Sequence, residues 1–256
     1  MGARRLRTGG FPDPATASPD GIVAIGAAPE PAILKEAYQK GIFPWPHEGY
    51  PLLWFSPDPR FVLEPKDAHL HKSLRKAMRK SDLVIKADSK FRDVIEGCSE
   101  KKRRGQRGTW ITDEMIEGYC GLHAEGFAHS IEAWRGDKLV GGLYGVSFGG
   151  TFFGESMFQT EADASKIAFG TLCAQLFEWK FVLVDCQSHT EHLSRFGALH
   201  WPRPKFLRVL ADSLRAPTRE GKWTIDMTPA RAADLLRARL PSEAEGLPAG
   251  DGMDDT

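Results

Sequence analysis

Apolar and polar residues recur with two different periods along this chain, and the change of period marks out the elements. Helical spacing comes first: Ile33, Leu34, Ala37 and Tyr38 keep one face of a helix that Pro31 opens and Gly41 closes. A helix at 69–80 turns Leu70, Leu74, Ala77 and Met78 inward and Lys72, Arg75, Lys76, Arg79 and Lys80 outward. Another spans 91–98, and Thr112 N-caps a further one with Asp113 and Glu114 in its first turn and Gly126 at its end. Strand patterns follow at 129–135, 138–148 and 151–158, hinged at Gly136-Asp137 and Gly149-Gly150. A helix over 161–179 buries Ile167, Leu172, Cys173 and Leu176. It leads to an apolar strand at 181–186, a short helix near 190–196 and a last strand near Leu199. In 41–60, GIFPWPHEGYPLLWFSPDPR, the prolines forbid regular helix and hold the aromatic rings on a stiff, extended or turning path. This order predicts an α+β domain with one two-layer core.

The same pass divides the chain. A Gly-, Pro-, Ala- and Ser-rich start at 1–20 is expected to fray, with a small N-terminal domain at 21–62 and the main domain at 63–225. A C-terminal extension at 226–256 holds a short amphipathic helix at 230–240 and an acidic, disordered end. At 256 residues the chain can bury a real core, and 41% hydrophobic residues with zero formal charge describe an ordinary globular protein. Arg4, Arg5 and Arg7 have no apolar segment behind them, and no apolar run reaches membrane-spanning length. Neither a secretory signal nor a membrane partner is expected. Cys98, Cys120, Cys173 and Cys186 are scattered without a C-x-x-C pair, which suits reduced thiols in a cytoplasm. His69, His71, His189 and His192 have no partners at ligand spacing, so neither metal nor cofactor is expected. A monomer is the expectation.

Two places stand out chemically. Gly141, Gly142, Gly145, Gly150 and Gly154 crowd two strands that gain nothing from them in folding, which suggests close approach of a ligand or another backbone. The strand at 181–186 ends in Asp185 and Gln187, and polar groups at the end of a buried strand are where such sheets place their chemistry. Two residues apart on a strand, they point to one side. Ser156 lacks the context of an activated nucleophile.

The motifs GIFPW (41–45), WFSPDPR (54–60), VIEGC (94–98), TWIT (109–112), AHSIEAW (128–134), GGLYGV (141–146), GESMF (154–158), ASK (164–166) and DCQ (185–187) occur in this order. Together, over about 21–223, they closely resemble the bacterial leucyl/phenylalanyl-tRNA–protein transferases. The resemblance implies a small N-terminal domain on a domain like the GCN5-related N-acetyltransferases, with a mixed, mainly antiparallel sheet. It also implies transfer of Leu or Phe, and less well Met, from aminoacyl-tRNA to proteins beginning with Arg or Lys, which marks them for degradation.

The implied reaction is aminolysis of an ester by an α-amine whose ordinary pKa is about 7.7–8.0, so orientation and oxyanion stabilisation matter more than a strong base. On that reading Gln187 contacts the nucleophile or carbonyl and Asp185 orients and polarises it; the alternative for Asp185 is a strand-end turn. Glu155 lies among Phe152, Phe153, Met157 and Phe158, where a carboxylate is costly without a cation or donor. It either recognises the acceptor's cationic residue or amine, or pairs with Lys166. The resemblance puts the donor side-chain pocket at Leu143, Phe152 and Leu172, the first and last departing from the Met and Phe of well-known members. It places Trp45 and Trp110 on the terminal adenine; core packing is the commoner role of an aromatic ring, but Trp45, held between two prolines, suits a stacking platform. Lys72, Lys76 and Arg79 share one helix face and match the family's phosphate-binding cluster, or form a solvated face. The basic run at 101–107 is longer than in close relatives and either adds phosphate contacts or is solvated. Two rivals remain. An acyl-CoA-dependent N-acetyltransferase would need a pyrophosphate-cradling R/Q-x-x-G-x-G/A loop, absent around 101–112 and before Glu161. A non-catalytic tRNA-binding module would leave Asp185, Gln187 and Glu155 idle.

Overall fold

The computed structural model describes residues 4–6, 10–47, 49–100 and 111–236. The first elements are β1 (Arg4–Leu6), β2 (Ile22–Gly26), α1 (Pro31–Gln39), β3 (Phe43–Trp45), β4 (Leu53–Phe55) and β5 (Arg60–Leu63). Next come α2 (Lys72–Arg79), β6 (Val84–Ala87), α3 (Phe91–Ser99), α4 (Asp113–Ala124), β7 (Ala128–Arg135), β8 (Lys138–Phe148) and β9 (Thr151–Gln159). The chain continues through α5 (Ala164–Glu178), β10 (Leu183–Gln187), α6 (Glu191–Ser194), β11 (Leu199–Trp201), α7 (Arg203–Ser213) and α8 (Pro229–Leu235).

Two sheets organise them. The smaller has the order β1-β2-β4-β3; β3 carries Pro44 and sits at its edge, where a missing N–H is tolerated. The larger has the order β11-β5-β10-β9-β8-β7-β6. Its neighbours are antiparallel except for β9 and β10, which run parallel. The fold is α+β with mixed, mainly antiparallel sheets.

The expected two-layer core does not form, because the middle of the large sheet is buried on both faces: every residue of β8 from Val140 to Phe148 is buried. One cluster packs Tyr144, Val146, Phe148 and Phe153 against α3 and α4 and runs into the small sheet through Trp54 and Phe55. The other packs Ile131, Val140, Leu143 and Phe152 against α2, α5 and α8. Helices therefore lie on both faces, giving three layers. The central α5 is buried almost all round, as a helix enclosed by sheet and neighbours must be.

Both expected loose ends are partly tied down. Phe11 packs edge-on against Trp54 at 4.8 Å, and the N–H groups of Gly10 and Phe11 donate to Glu36. Sequence composition ends the main domain at 225, yet Met227, Ala232, Ala233 and Leu236 are buried in the second core cluster. The basic run 101–107 and residues 237–256 lie outside the described residues.

Crowded glycines follow from packing at three positions, one being Gly142, where a Cβ would lie 2.7 Å from the Ile131 carbonyl oxygen. A Cβ on Gly141 would lie 2.8 Å from that of Ala164 on α5, and one on Gly145 would lie 2.2 Å from the Phe153 carbonyl oxygen. Gly154 differs: a Cβ there would meet only the Asp185 carbonyl, at 3.7 Å, beside open space.

Candidate active site

The parallel register of β9 and β10 runs Leu183↔Thr151, Val184↔Phe152, Asp185↔Phe153 and then stops. Beyond that point the strands part, and a cavity of about 590 Å³ occupies the gap. Its apolar wall includes Leu143, Met157, Phe169, Val184 and Leu193; Phe43 and Trp45 reach it from the small sheet. Glu155, Gln187 and Lys166 supply polar surface.

Glu155 is held by three donors from three elements. Its Oε1 accepts from the Tyr38 hydroxyl (2.6 Å) and Gln187 Nε2 (2.6 Å), and its Oε2 from the Tyr119 hydroxyl (2.9 Å). The two tyrosine hydroxyl oxygens also lie in close contact with each other. All three donors are neutral. Burial pushes the Glu155 carboxyl up to about 7 despite these hydrogen bonds, and Asp185 raises it further. Burial, with the neighbouring Glu155 charge, also raises both phenols well above their usual range, so they stay donors. The alternative partner Lys166 is engaged elsewhere, 2.5 Å from Asp163.

Asp185 corrects the reading from strand alternation. The register slips between Asp185 and Gln187, and Gln187 takes φ +62, a left-handed conformation that costs a non-glycine residue about 1–2 kcal/mol. The pair therefore does not share the cavity. Gln187 lines it, whereas the Asp185 carboxylate is fully buried in a two-pronged ion pair with Arg60 of β5 (Nε–Oδ1 2.8 Å, Nη2–Oδ2 2.6 Å). That guanidinium lies between the rings of Phe43 and Phe206, 4.7 and 4.6 Å from their centroids. Asp185 Oδ1 also accepts the Gln187 backbone N–H at 2.9 Å, so the buried carboxylate anchors the bulge that carries the amide.

The remaining expected site residues separate. Leu143 is on the cavity wall, but Phe152 of β9 and Leu172 of α5 are fully buried deeper in the same core cluster and do not line it. Trp45 lines the cavity, lies between two prolines, and is 38% exposed. Trp110 lies outside the described residues. Lys72, Lys76 and Arg79 are exposed on α2, away from the cavity lining, and Arg79 pairs with Asp234 of α8. Sequence reasoning missed Tyr38 as a polar partner, Tyr119, and Arg60. The available signal was Arg60 itself, a cation heading the apolar run RFVL.

Among the described residues, no cluster of three or more His, Cys, Asp or Glu could hold a metal ion, and no helix is long and apolar enough to cross a membrane. Comparison with known proteins gives one family. Residues 62–211 match the model of the leucyl/phenylalanyl-tRNA protein transferases, and residues 28–58 match that of their N-terminal domain. The chain is similar to the leucyl/phenylalanyl-tRNA–protein transferase of Myxococcus xanthus, with 55% identity over 84% of this chain and 92% of the relative. Similar proteins of the same name occur in an Anaeromyxobacter species (52% identity; 84% and 92% covered) and in Nitratidesulfovibrio vulgaris (49%; 84% and 92%).

Proposed function

This chain belongs to the leucyl/phenylalanyl-tRNA protein transferase family, and from that premise we propose that it moves Leu or Phe, and less well Met, from aminoacyl-tRNA to the α-amine of proteins beginning with Arg or Lys. The product carries a new peptide bond and an N-degron that commits it to degradation. The observation that carries this reading is the cavity where β9 and β10 part: apolar on one wall, hydrogen-bonded and polar on another, with a part-exposed tryptophan at its edge.

In this reading the donor side chain lies against Leu143, Met157 and Phe169, while Phe152 and Leu172 set the shape of that wall from the core. Apolar walls of this kind separate side chains differing by a methylene by only about 1–3 kcal/mol, consistent with a donor range rather than one donor. Trp45 stacks on the terminal adenine of the tRNA, and Trp110 is a second platform by resemblance. Lys72 and Lys76 hold acceptor-stem phosphates, with Arg79 contributing less because Asp234 shares its charge. Gln187 orients the attacking amine against the ester carbonyl, which converts a bimolecular encounter into an aligned one. Asp185 is a positioning residue that acts through the bulge and Gln187. Glu155 meets the cationic end of the acceptor.

The further parts of the proposal are a large domain like the GCN5-related N-acetyltransferases, supported by the single parallel pair in an otherwise antiparallel sheet, and a cytoplasmic monomer. Acetyl transfer from acetyl-CoA is the rival reading for that architecture. One assay decides: labelled Leu-tRNA and a peptide with N-terminal Arg, with acetyl-CoA as the control donor. Label in the peptide from Leu-tRNA alone is expected; acetylation without leucylation would refute the proposal.

A further inference from the structure

Resting on the transferase reading above, we propose that Glu155 is the catalytic group that takes the proton from the acceptor's α-ammonium. Among the described residues Glu155 is the only carboxylate lining the cavity, since Asp185 is closed off by Arg60. Its Oε1 already accepts two hydrogen bonds, but its Oε2 accepts one, from Tyr119, which leaves a lone pair for an incoming N–H. The amide that orients the amine is bonded to this same carboxylate, so amine, amide and proton acceptor converge at one end of the cavity.

The surroundings suit the task. The charged and titratable groups facing Glu155 are Tyr38 on α1, Tyr119 on α4, Tyr144 on β8 and Asp185 on β10 with its Arg60 partner on β5. Lys166, paired with Asp163, and His192 lie elsewhere on the cavity wall. With its carboxyl pushed up to about 7 by burial, Glu155 is close in proton affinity to an α-amine, whose ordinary pKa is about 7.7–8.0. The step balances as follows. The ammonium gives one proton to Glu155, and the freed lone pair forms the C–N bond as the ester C–O bond breaks. The second proton shed by nitrogen goes to the departing ribose oxygen, and the proton on Glu155 leaves to solvent with the product.

The test is the pH profile of kcat/KM for leucyl transfer to an Arg-initiated peptide, measured for the wild type, Glu155→Gln and Glu155→Asp, with tRNA binding and circular dichroism as controls for folding. If ionised Glu155 frees the amine, the wild-type profile rises through about pH 7 and levels off, ahead of the amine's own pKa of about 7.7–8.0. Glu155→Gln loses about 10²–10⁴-fold and rises only with amine deprotonation, through about 7.7–8.0; Glu155→Asp keeps the earlier rise at reduced height. A wild-type profile that rises only through the amine's own pKa, or a folded Glu155→Gln that raises only KM, would overturn this role and leave the transferase reading intact. No transfer by the wild type at any pH would instead overturn the transferase reading.

Discussion

Replacing Asp185 with Asn removes one charge from a fully buried pair while keeping the shape of the side chain. Both partners are 0% exposed, and the Arg60 guanidinium is wedged between Phe43 and Phe206. Its Nη1 has no hydrogen-bond acceptor among the described residues, so nothing nearby takes over from the lost carboxylate. Leaving a buried cation unpaired costs about 3–5 kcal/mol, which for a chain of this size lowers Tm by about 6–20 °C. Turnover falls as well, because Gln187 is held at φ +62 with its N–H on Asp185. Thermal unfolding reads the first effect and single-turnover transfer the second. The double change Arg60→Met with Asp185→Leu separates them: an apolar pair of similar volume restores most of the Tm, since buried ion pairs are often no better than apolar replacements. It does not restore the anchor of the bulge, so turnover stays low. Asp185→Asn melting within about 2 °C of the wild type would refute the argument about the buried charge. Wild-type turnover in the double variant would refute the positioning role.

Four further outcomes are expected. Trp45→Ala weakens binding of aminoacyl-tRNA by about 1–3 kcal/mol in a filter-binding titration, with a smaller loss of Tm than a core truncation because the ring is 38% exposed. Leu172→Ala costs about 2–5 kcal/mol in urea unfolding as a core truncation. By contrast, Leu143→Ala shifts the Leu-to-Phe donor ratio in a competition assay, since Leu143, unlike Leu172, lines the cavity. Glu155 binds its proton more tightly folded (about 7) than unfolded (about 4.3), so its contribution is complete below about pH 4 and is lost as pH rises through about 7. Wild-type stability relative to Glu155→Gln therefore falls by up to about 3 kcal/mol between pH 4 and pH 8 in denaturant titrations, and a flat difference would contradict the raised carboxyl.

Most of the framework was legible in the chain. Periods of two and 3.6 locate β7, β8, β9, α1, α3 and α4 to within a residue or two, because each element shows its buried face through its own spacing. The long run of ordered motifs carried the family. The small sheet, β6 and α7 were not legible: their segments are short, proline-interrupted or rich in charge, and only packing against distant parts makes them regular. At the site, Gln187, Glu155, Leu143 and Trp45 line the cavity, while Phe152 and Leu172, placed by the same resemblance as Leu143 and Trp45, lie beneath it.

Local pattern determined the elements and the chemical types available at the end of β10. Which carboxylate meets the cavity was decided only in three dimensions. Arg60 reaches Asp185 across 125 positions and Tyr38 reaches Glu155 across 117, and one slipped register turns a shared side into two environments. A buried charge takes its role from the partner that folding brings to it, and spacing along a strand carries no record of that partner.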